Sequence, residues 1–313
     1  LGDRQMPIVL RIMASQRGDG EVAKKWNDEI AGAIVSFVAE SPANRCAALD
    51  DGPFWVDPLV GFASGDDPIF QELKRVIGEF HFTPREIMRL HLADSGLTGA
   101  DADAEEVNVV SWVLPASEPM RASNRRETKC PSRAWAYGRW YGEQFNVLLR
   151  QHVVTLIEEW GGHAVAPMLS PHFERKRYAR IGFASNWSER HVAYACGLGT
   201  FGLSGGLITP KGMAMRVGSV VTTLPLEPTP RAYSTHTAYC LFYRGDECGK
   251  CIVRCPAGAI DECGNDKERC YQYAYVELAP KKEEYGVDVT GCGLCQTDVP
   301  CEFRIPEEEP LKN

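Results

Sequence analysis

The chain has 313 residues, 44% of them apolar and 24% charged, which excludes a disordered, collagen-like or coiled-coil protein. Forty-two acids against 34 Lys plus Arg leave a formal charge of −8, so bulk charge gives it no hold on a nucleic-acid backbone. The anomaly is cysteine, with 12 in the chain and most of them after residue 235.

Residues 21–40 carry apolar side chains at helical spacing (Val22, Trp26, Ile30, Ala33, Ile34, Phe37, Val38) and predict a helix. Residues 68–80 predict a second helix with proline in its first turn. VNVVSWVL over 107–114 is a continuous β-branched run, the pattern of a buried strand. A long helix is expected over 132–160, broken at Gly138 or Gly142 and stopped by Gly161 and Gly162. Short strands are expected at 164–167 and 217–223. Between them, 186–196 predicts a helix with Asn186 three residues before Glu189, the spacing of a capping box.

Pro228 and Pro230 mark a linker, and from His236 onward cysteines and turns replace hydrophobic periodicity. The expected organisation is an α/β (α+β) core over 1–235, a cysteine-rich domain over 236–306 and a solvated acidic tail over 307–313. Residues 236–313 hold fifteen acids and nine bases, most of the negative balance. The longest stretch without a charged side chain, 191–210, contains five glycines and a proline, so no membrane-spanning helix is expected. The expected location is cytoplasmic, or exported if a signal preceded Leu1.

Cys248-Gly-Lys-Cys251-Ile-Val-Arg-Cys255-Pro256 is a C-x2-C-x3-C-P run, followed by Cys270 and then Cys292, Cys295 and Cys301. Two-cluster ferredoxins use a related run, in which the cysteine before proline ligates the other cluster. Thiolates on one tight loop reach corners of one cube, while the next, entering a helix, points to the second. The full run has a further cysteine where Gly245 stands; Cys240 is the nearest upstream substitute, with Cys263 the alternative. This order predicts two [4Fe–4S] clusters, one on Cys240, Cys248, Cys251 and Cys301, the other on Cys255, Cys270, Cys292 and Cys295. A zinc ribbon would need only four of these thiols, and a disulfide framework would be spread more evenly. Cys46, Cys130 and Cys196 read as plain buried thiols.

Gly197-Leu-Gly199-Thr-Phe-Gly202 matches G-x-G-x-x-G, but a helix precedes it and no acid occurs between Glu189 and Glu227. It therefore fails as a dinucleotide loop. Glycines still permit backbone to approach another flat ligand. The segment from Ser188 through Gly202, with Gly206-Leu-Ile-Thr-Pro210 and Arg216-Val-Gly-Ser-Val-Val221, resembles the cobalamin domain shared by epoxyqueuosine reductases and reductive dehalogenases. The cassette follows it as in those families. Gly65-Asp-Asp-Pro68 and Phe82-Thr-Pro-Arg-Glu86 resemble the amino-terminal part of dehalogenase-like proteins, and the whole resemblance covers about residues 60–305.

That resemblance implies a nitroreductase-like core holding base-off cobalamin, with Gly197, Gly199, Thr200, Phe201, Gly202 and Gly206 as cofactor-binding residues. It implies electrons passed singly through the clusters to cobalt, supplied by a ferredoxin, a flavodoxin or a membrane donor. Epoxyqueuosine reductases carry a catalytic Asp where Phe183 stands here, and the helical-repeat region they carry beyond the clusters has no counterpart, so a nucleic-acid substrate is not expected. Dehalogenases use a Tyr as proton donor beside an Arg or Lys, which points to Tyr178 and Tyr194 with Arg216. His191 and the group Trp112, Trp135 and Trp140 read as structural, Lys211 as solvent-exposed. The expected activity is reductive dehalogenation of a small organohalide. The alternatives are an epoxyqueuosine-reductase-like deoxygenation, and an electron-transfer protein without corrin.

Overall fold

A computed structural model describes residues 19–97, 103–178 and 182–307. In chain order these form α1 (Asp19–Glu40), β1 (Leu59–Ser64), α2 (Ile69–Ile77), α3 (Pro84–Asp94), β2 (Asn108–Pro115), α4 (Glu118–Arg125) and α5 (Arg133–Glu159). There follow β3 (Ala164–Val165), β4 (Arg175–Tyr178), β5 (Gly182–Ser185), α6 (Glu189–Ala195), β6 (Thr200–Phe201), β7 (Leu207–Ile208) and β8 (Met215–Thr222). The class is the expected mixture of helix and sheet. β1, β2, β8 and β3 form one sheet in that order, antiparallel at every pairing.

The unbroken apolar run of β2 is explained by helices on both faces of the sheet. All eight of its residues are buried. Because successive strand residues point to opposite faces, Val110, Trp112 and Leu114 pack with Ile34, Phe145 and Leu149 of α1 and α5. Val109 and Val113 pack on the other side with Leu73, Ile87 and Val192 of α2, α3 and α6.

Three expectations need correction. α5 runs through both glycines without a break. A side chain at Gly142 would come within 2.7 Å of the Trp55 ring, whose indole N–H donates to the Gly142 carbonyl at 3.1 Å. The glycine serves packing between α5 and the loop before β1. The helix expected from Asn186 begins at Glu189 instead, and no side chain caps it. Asn186 ties down the preceding strand: its amide donates to the His172 carbonyl at 2.8 Å and its oxygen accepts from the Glu174 N–H at 2.9 Å. The proline-marked linker is paired with β1, Phe62 and Thr229 exchanging hydrogen bonds of 2.9 and 3.0 Å. The tail from residue 308 lies outside the described residues.

The cysteine-rich segment is built from short pieces: helices Leu241–Arg244 and Lys250–Val253, a hairpin of Ile260–Asp261 with Gly264–Asn265, and helix Lys267–Tyr271. The last runs into a π-helical turn, Gln272–Glu277, before helix Pro280–Tyr285. This segment shares an apolar cluster with the core: Leu203, Ile208 and Met213 pack with Cys240, Ile260 and Val299. Backbone bonds cross the same seam, from Phe201 N to His236 O (2.6 Å), Met213 N to Cys301 O (2.9 Å) and Ala214 N to Glu302 O (3.0 Å). Among the described residues, no helix is long and apolar enough to cross a membrane.

Candidate functional site

The thiols fall into two sets. Cys240, Cys248, Cys251 and Cys301 line one small cavity of about 20 Å³, with Leu203, Ile208 and Met213 of the core as its apolar wall. Burial, reinforced by neighbouring thiols, pushes Cys251 up to about 11 and Cys301 up to about 12. The other set is mutually coupled: Cys255 and Cys270 act electrostatically on Cys292 and Cys295, and burial pushes Cys292 up to about 11. Buried thiols of this kind stay neutral unless a cation compensates the thiolate. Cys263 is exposed on the hairpin and belongs to neither set. Among the described residues no three His, Cys, Asp or Glu gather closely enough to hold a single metal ion. A cubane is wider than an ion and takes one thiolate at each iron corner. All twelve cysteines are free; Cys46 and Cys196 are buried, whereas Cys130 is only half-buried and stands within electrostatic reach of Cys292.

Beside the second thiol set, α5, α6 and β8 carry a cluster of charged side chains. Arg139, Glu143 and Arg150 recur along α5 at spacings that keep them on neighbouring turns. Arg150 is buried between Glu143 (3.0 Å) and Glu189 (3.2 Å). Ser219 donates to Glu189 at 2.5 Å and accepts from the Trp187 indole at 2.9 Å. Burial pushes Glu189 up to about 7 against the pull of Arg150. From β8, Arg216 reaches Glu143 at 3.3 Å and donates to the Arg139 carbonyl at 3.1 Å. Burial, with repulsion from Arg139, lowers Arg216 to about 10, yet 23% of its side chain meets solvent.

Facing Arg216 is Tyr275, carried by the π-helical turn. Its burial acts to raise the phenol pKa, but the charge and hydrogen bond of Arg139, with the charges of Arg175 and Arg216, outweigh it and hold the phenol below its usual value. Arg190, which donates to the Gly205 carbonyl, interacts with Tyr275 and with Cys295 and Cys270 of the second thiol set. An aromatic ladder closes the side, Phe183 on Tyr271 at 4.3 Å and Tyr271 on Tyr275 at 5.1 Å.

Of the catalytic candidates read from sequence, the structure brings only Arg216 to this charged cluster. Tyr178 stacks on Phe80 at 3.7 Å, and its buried hydroxyl has no hydrogen-bond partner among the described residues. Tyr194 packs against Tyr233 and Phe201 at 5.2 and 5.9 Å, its carbonyl accepting from the Tyr233 hydroxyl. Sequence reading missed Tyr275, Arg139, Arg175 and Arg190. The available signal was two tyrosines, Tyr271 and Tyr275, one helical turn apart between cluster cysteines.

The glycine segment has an intramolecular reason. A side chain at Gly199 would meet the Ile208 carbonyl oxygen at 2.2 Å, so the close approach is of β6 to β7. Thr200 is buried and accepts from the Tyr239 N–H at 2.9 Å. Phe201, Gly202 and Gly206 belong to the same seam, with Gly202 on the wall of the first thiol cavity, whereas Gly197 turns left-handed against Thr229 and Pro230. His191 accepts or donates at Ser188 Oγ (2.7 Å), and burial drives it down to about 3, a neutral scaffold ring. Lys211 is exposed, 3.8 Å from Asp57, and of the three tryptophans only Trp112 is fully buried.

The solved structures that the chain is similar to are reductases of two kinds, epoxyqueuosine reductases and reductive dehalogenases. One is epoxyqueuosine reductase from Bacillus subtilis: 16% identity, 92% of this chain and 68% of that one, TM-score 0.47. Another is an epoxyqueuosine reductase with an epoxyqueuosine-modified tRNA-Tyr stem loop, at 16% identity, covering 90% and 66%, with a TM-score of 0.47. A reductive dehalogenase described with a mechanism for B12-dependent dehalogenation matches at 14% identity and TM-score 0.45, over 81% of this chain and 30% of its own length. No family model matches the chain, and no curated protein matches it in sequence. What the chain does has to be read from its own residues.

Proposed function

We propose that this protein is a cobalamin- and iron–sulfur-dependent reductase that replaces the halogen of a small organohalide by hydrogen. The observation carrying this reading is the two cysteine sets, Cys240, Cys248, Cys251 and Cys301 around one cavity against the core and Cys255, Cys270, Cys292 and Cys295 close enough to interact with one another. The net reaction takes up two electrons and one proton, breaks the carbon–halogen bond, forms a carbon–hydrogen bond and releases halide.

The thiols suit two [4Fe–4S] clusters, Cys240, Cys248, Cys251 and Cys301 holding one, Cys255, Cys270, Cys292 and Cys295 the other. One set lies at the seam cavity and the other beside the charged cluster, an order that suits stepwise delivery of single electrons from an external donor. The guanidinium groups of Arg139, Arg175, Arg190 and Arg216 are donors that would suit the amide and phosphate oxygens of a large ligand. Bound there, cobalamin would supply the low-valent metal chemistry that no side chain provides. Arg190 and the Gly205 carbonyl it holds would face that ligand, while the glycines behind them keep the seam closed.

Tyr275 then replaces Tyr178 and Tyr194 as the proton donor. Arg139, Arg175 and Arg216 stabilise the phenolate left after transfer, which is what lowering its pKa means. Glu143 and Arg150 hold Arg216 in place. At the position of the epoxyqueuosine reductases' acid, Phe183 is part of the aromatic ladder and has no proton to give.

Anaerobically reconstituted protein is expected to hold about eight iron and eight sulfide per chain and to take up corrinoid. Tyr275→Phe should keep both and slow dehalogenation by roughly 10² to 10⁴, while Tyr178→Phe stays near wild type. Stoichiometric zinc without iron would end the cluster assignment. Clusters without corrinoid uptake would leave an electron-transfer protein, and turnover of epoxyqueuosine RNA instead of organohalides would reassign the substrate.

A further inference from the structure

The face of α5 turned away from Arg139, Glu143 and Arg150 borders a cavity that the reductase reading leaves unused. At about 100° per residue those three fall within about 40° of one another, and Tyr137, Tyr141, Gln144, Phe145 and Leu148 centre on the opposite side. With the loop between α1 and β1 they enclose about 470 Å³, inside the range of small-molecule pockets, roughly 300 to 1,000 Å³. Phe54 and Phe145, each 1% exposed, are its buried lining, and Leu148 is exposed at its edge. Tyr137 and Tyr141 meet edge to face at 5.2 Å. The Tyr141 hydroxyl is spent on the Gly286 carbonyl at 3.0 Å, so its ring is what it offers a ligand. The walls are fixed in advance. Asn44 donates to the Val38 and Trp55 carbonyls at 2.8 and 2.9 Å and accepts from the Trp55 N–H at 3.0 Å, and the Trp55 indole reaches the Gly142 carbonyl on α5 at 3.1 Å. Two polar groups of the lining are unused: among the described residues Arg45 has no carboxylate and the Gln144 amide no hydrogen-bond partner. No acidic side chain lines the cavity.

We propose that this cavity binds a planar aromatic carboxylate, its ring against Tyr137, Tyr141 and Leu148 and its charge on Arg45, with the Gln144 amide as a second donor. Aromatic rings pair with a flat apolar ligand, and a guanidinium fork holds a carboxylate by charge-assisted hydrogen bonds. A neutral aromatic of equal size makes the same ring contacts and leaves Arg45 unmatched. None of the cysteines lines the cavity, so the site stands apart from the proposed clusters.

The test is equilibrium dialysis of the full-length, cluster-reconstituted protein against naphthoate and its neutral alcohol, naphthylmethanol. Naphthoate is expected to be retained over naphthylmethanol by roughly fivefold, the upper end for an exposed ion pair. Arg45→Gln should erase that preference and leave naphthylmethanol binding as it was. Leu148→Asp, at an exposed position, removes apolar contact and adds a like charge, and should weaken naphthoate by about tenfold or more. Both variants should keep their iron. No saturable naphthoate binding, equal retention of the two probes, or a preference that survives Arg45→Gln overturns the proposal. So does a dimer in sedimentation velocity that Leu148→Asp dissociates, because a second copy of the chain then covers the cavity. Protein that takes up no corrinoid yet shows the Arg45-dependent preference leaves this site standing while the reductase reading falls.

Discussion

The sheet core and the cysteine-rich segment are held together by different physics, although they touch along one seam. The core buries large side chains from every layer, with Trp112, Phe145, Ile34 and Ile87 all at 1% exposure or less. The cysteine-rich segment buries mostly small or single apolar groups, such as Ala259, Ile260, Ala274 and Val299, and leaves Tyr243, Val276, Phe303 and Val253 exposed, the last at 84%. Its helices are four to six residues long and its strands two, too short to persist alone. With so little core, such a segment would depend on the proposed clusters for folding energy. The core does not.

Removing iron should therefore separate the two regions, and this is the largest effect expected. Chelation under mild oxidation should strip hydrogen-exchange protection from the amides of 240–300 while β2 and β8 stay protected, since the sheet's burial involves no thiol ligand. Proteolysis near Val253 should follow. Equal loss of protection in both regions would show that the clusters hold the core as well.

The seam gives a sharper test. Glu302 is 2% exposed, accepts from Arg125 of α4 at 2.7 Å and takes the Asp298 N–H at 2.8 Å. Glu302→Ala leaves Arg125 with only its outer partner Glu118. A loss of about 3 to 5 kcal/mol is expected for breaking a buried pair, toward the lower end because Glu118 remains. It should appear as loosening of 298–304 and of the Cys301 set, with the midpoint of core unfolding little changed. A uniform drop across both regions would mean that the two fold as one unit.

How much of this was legible beforehand differs between the regions. The 107–114 strand and the 132–160 helix were read correctly because period and length are written in the local pattern. β1 was missed: LVGFAS is short, holds a glycine and borrows its pairing from β2. α3 was announced by Thr83 and Glu86, a capping box that the structure shows in full, but those residues had been noticed only for their resemblance. Between Cys240 and Cys263, spacing alone leaves the choice open, whereas in the fold it is Cys240 that lines the cavity with Cys248, Cys251 and Cys301. The charged cluster was the least legible. Arg139, Arg175, Arg190, Arg216 and Tyr275 come from five separate elements, and only folding brings them together. Tyr178 looked better placed because its cations, Arg175, Lys176 and Arg177, are sequence neighbours; on a strand they alternate faces, and Arg175 is the one that serves Tyr275.

The smallest expected effect separates the regions by pH. His81 is fully buried beneath α6, its Nε2 accepting from the Ser188 N–H at 3.2 Å while Nδ1 finds no partner. Burial, with the charge of Lys74 nearby, lowers its pKa to about 4 from 6.5, against the pull of the Phe82 backbone and Glu86. An unfolded chain binds a proton at this ring as pH falls below 6.5, and the folded one does not until about 4. Protonation thus favours the unfolded state across that window, and core stability falls as pH drops through it, by about 3 kcal/mol at most. His191 adds a loss of the same sign on α6. Hydrogen exchange of β2 amides, corrected for intrinsic rate, should show this decline between pH 6.5 and 4, and His81→Gln, which keeps an acceptor for Ser188, should flatten it. If wild type and His81→Gln decline with the same slope, His81 does not set the acid sensitivity of the core, and the same comparison on His191→Gln shows whether the second buried ring does.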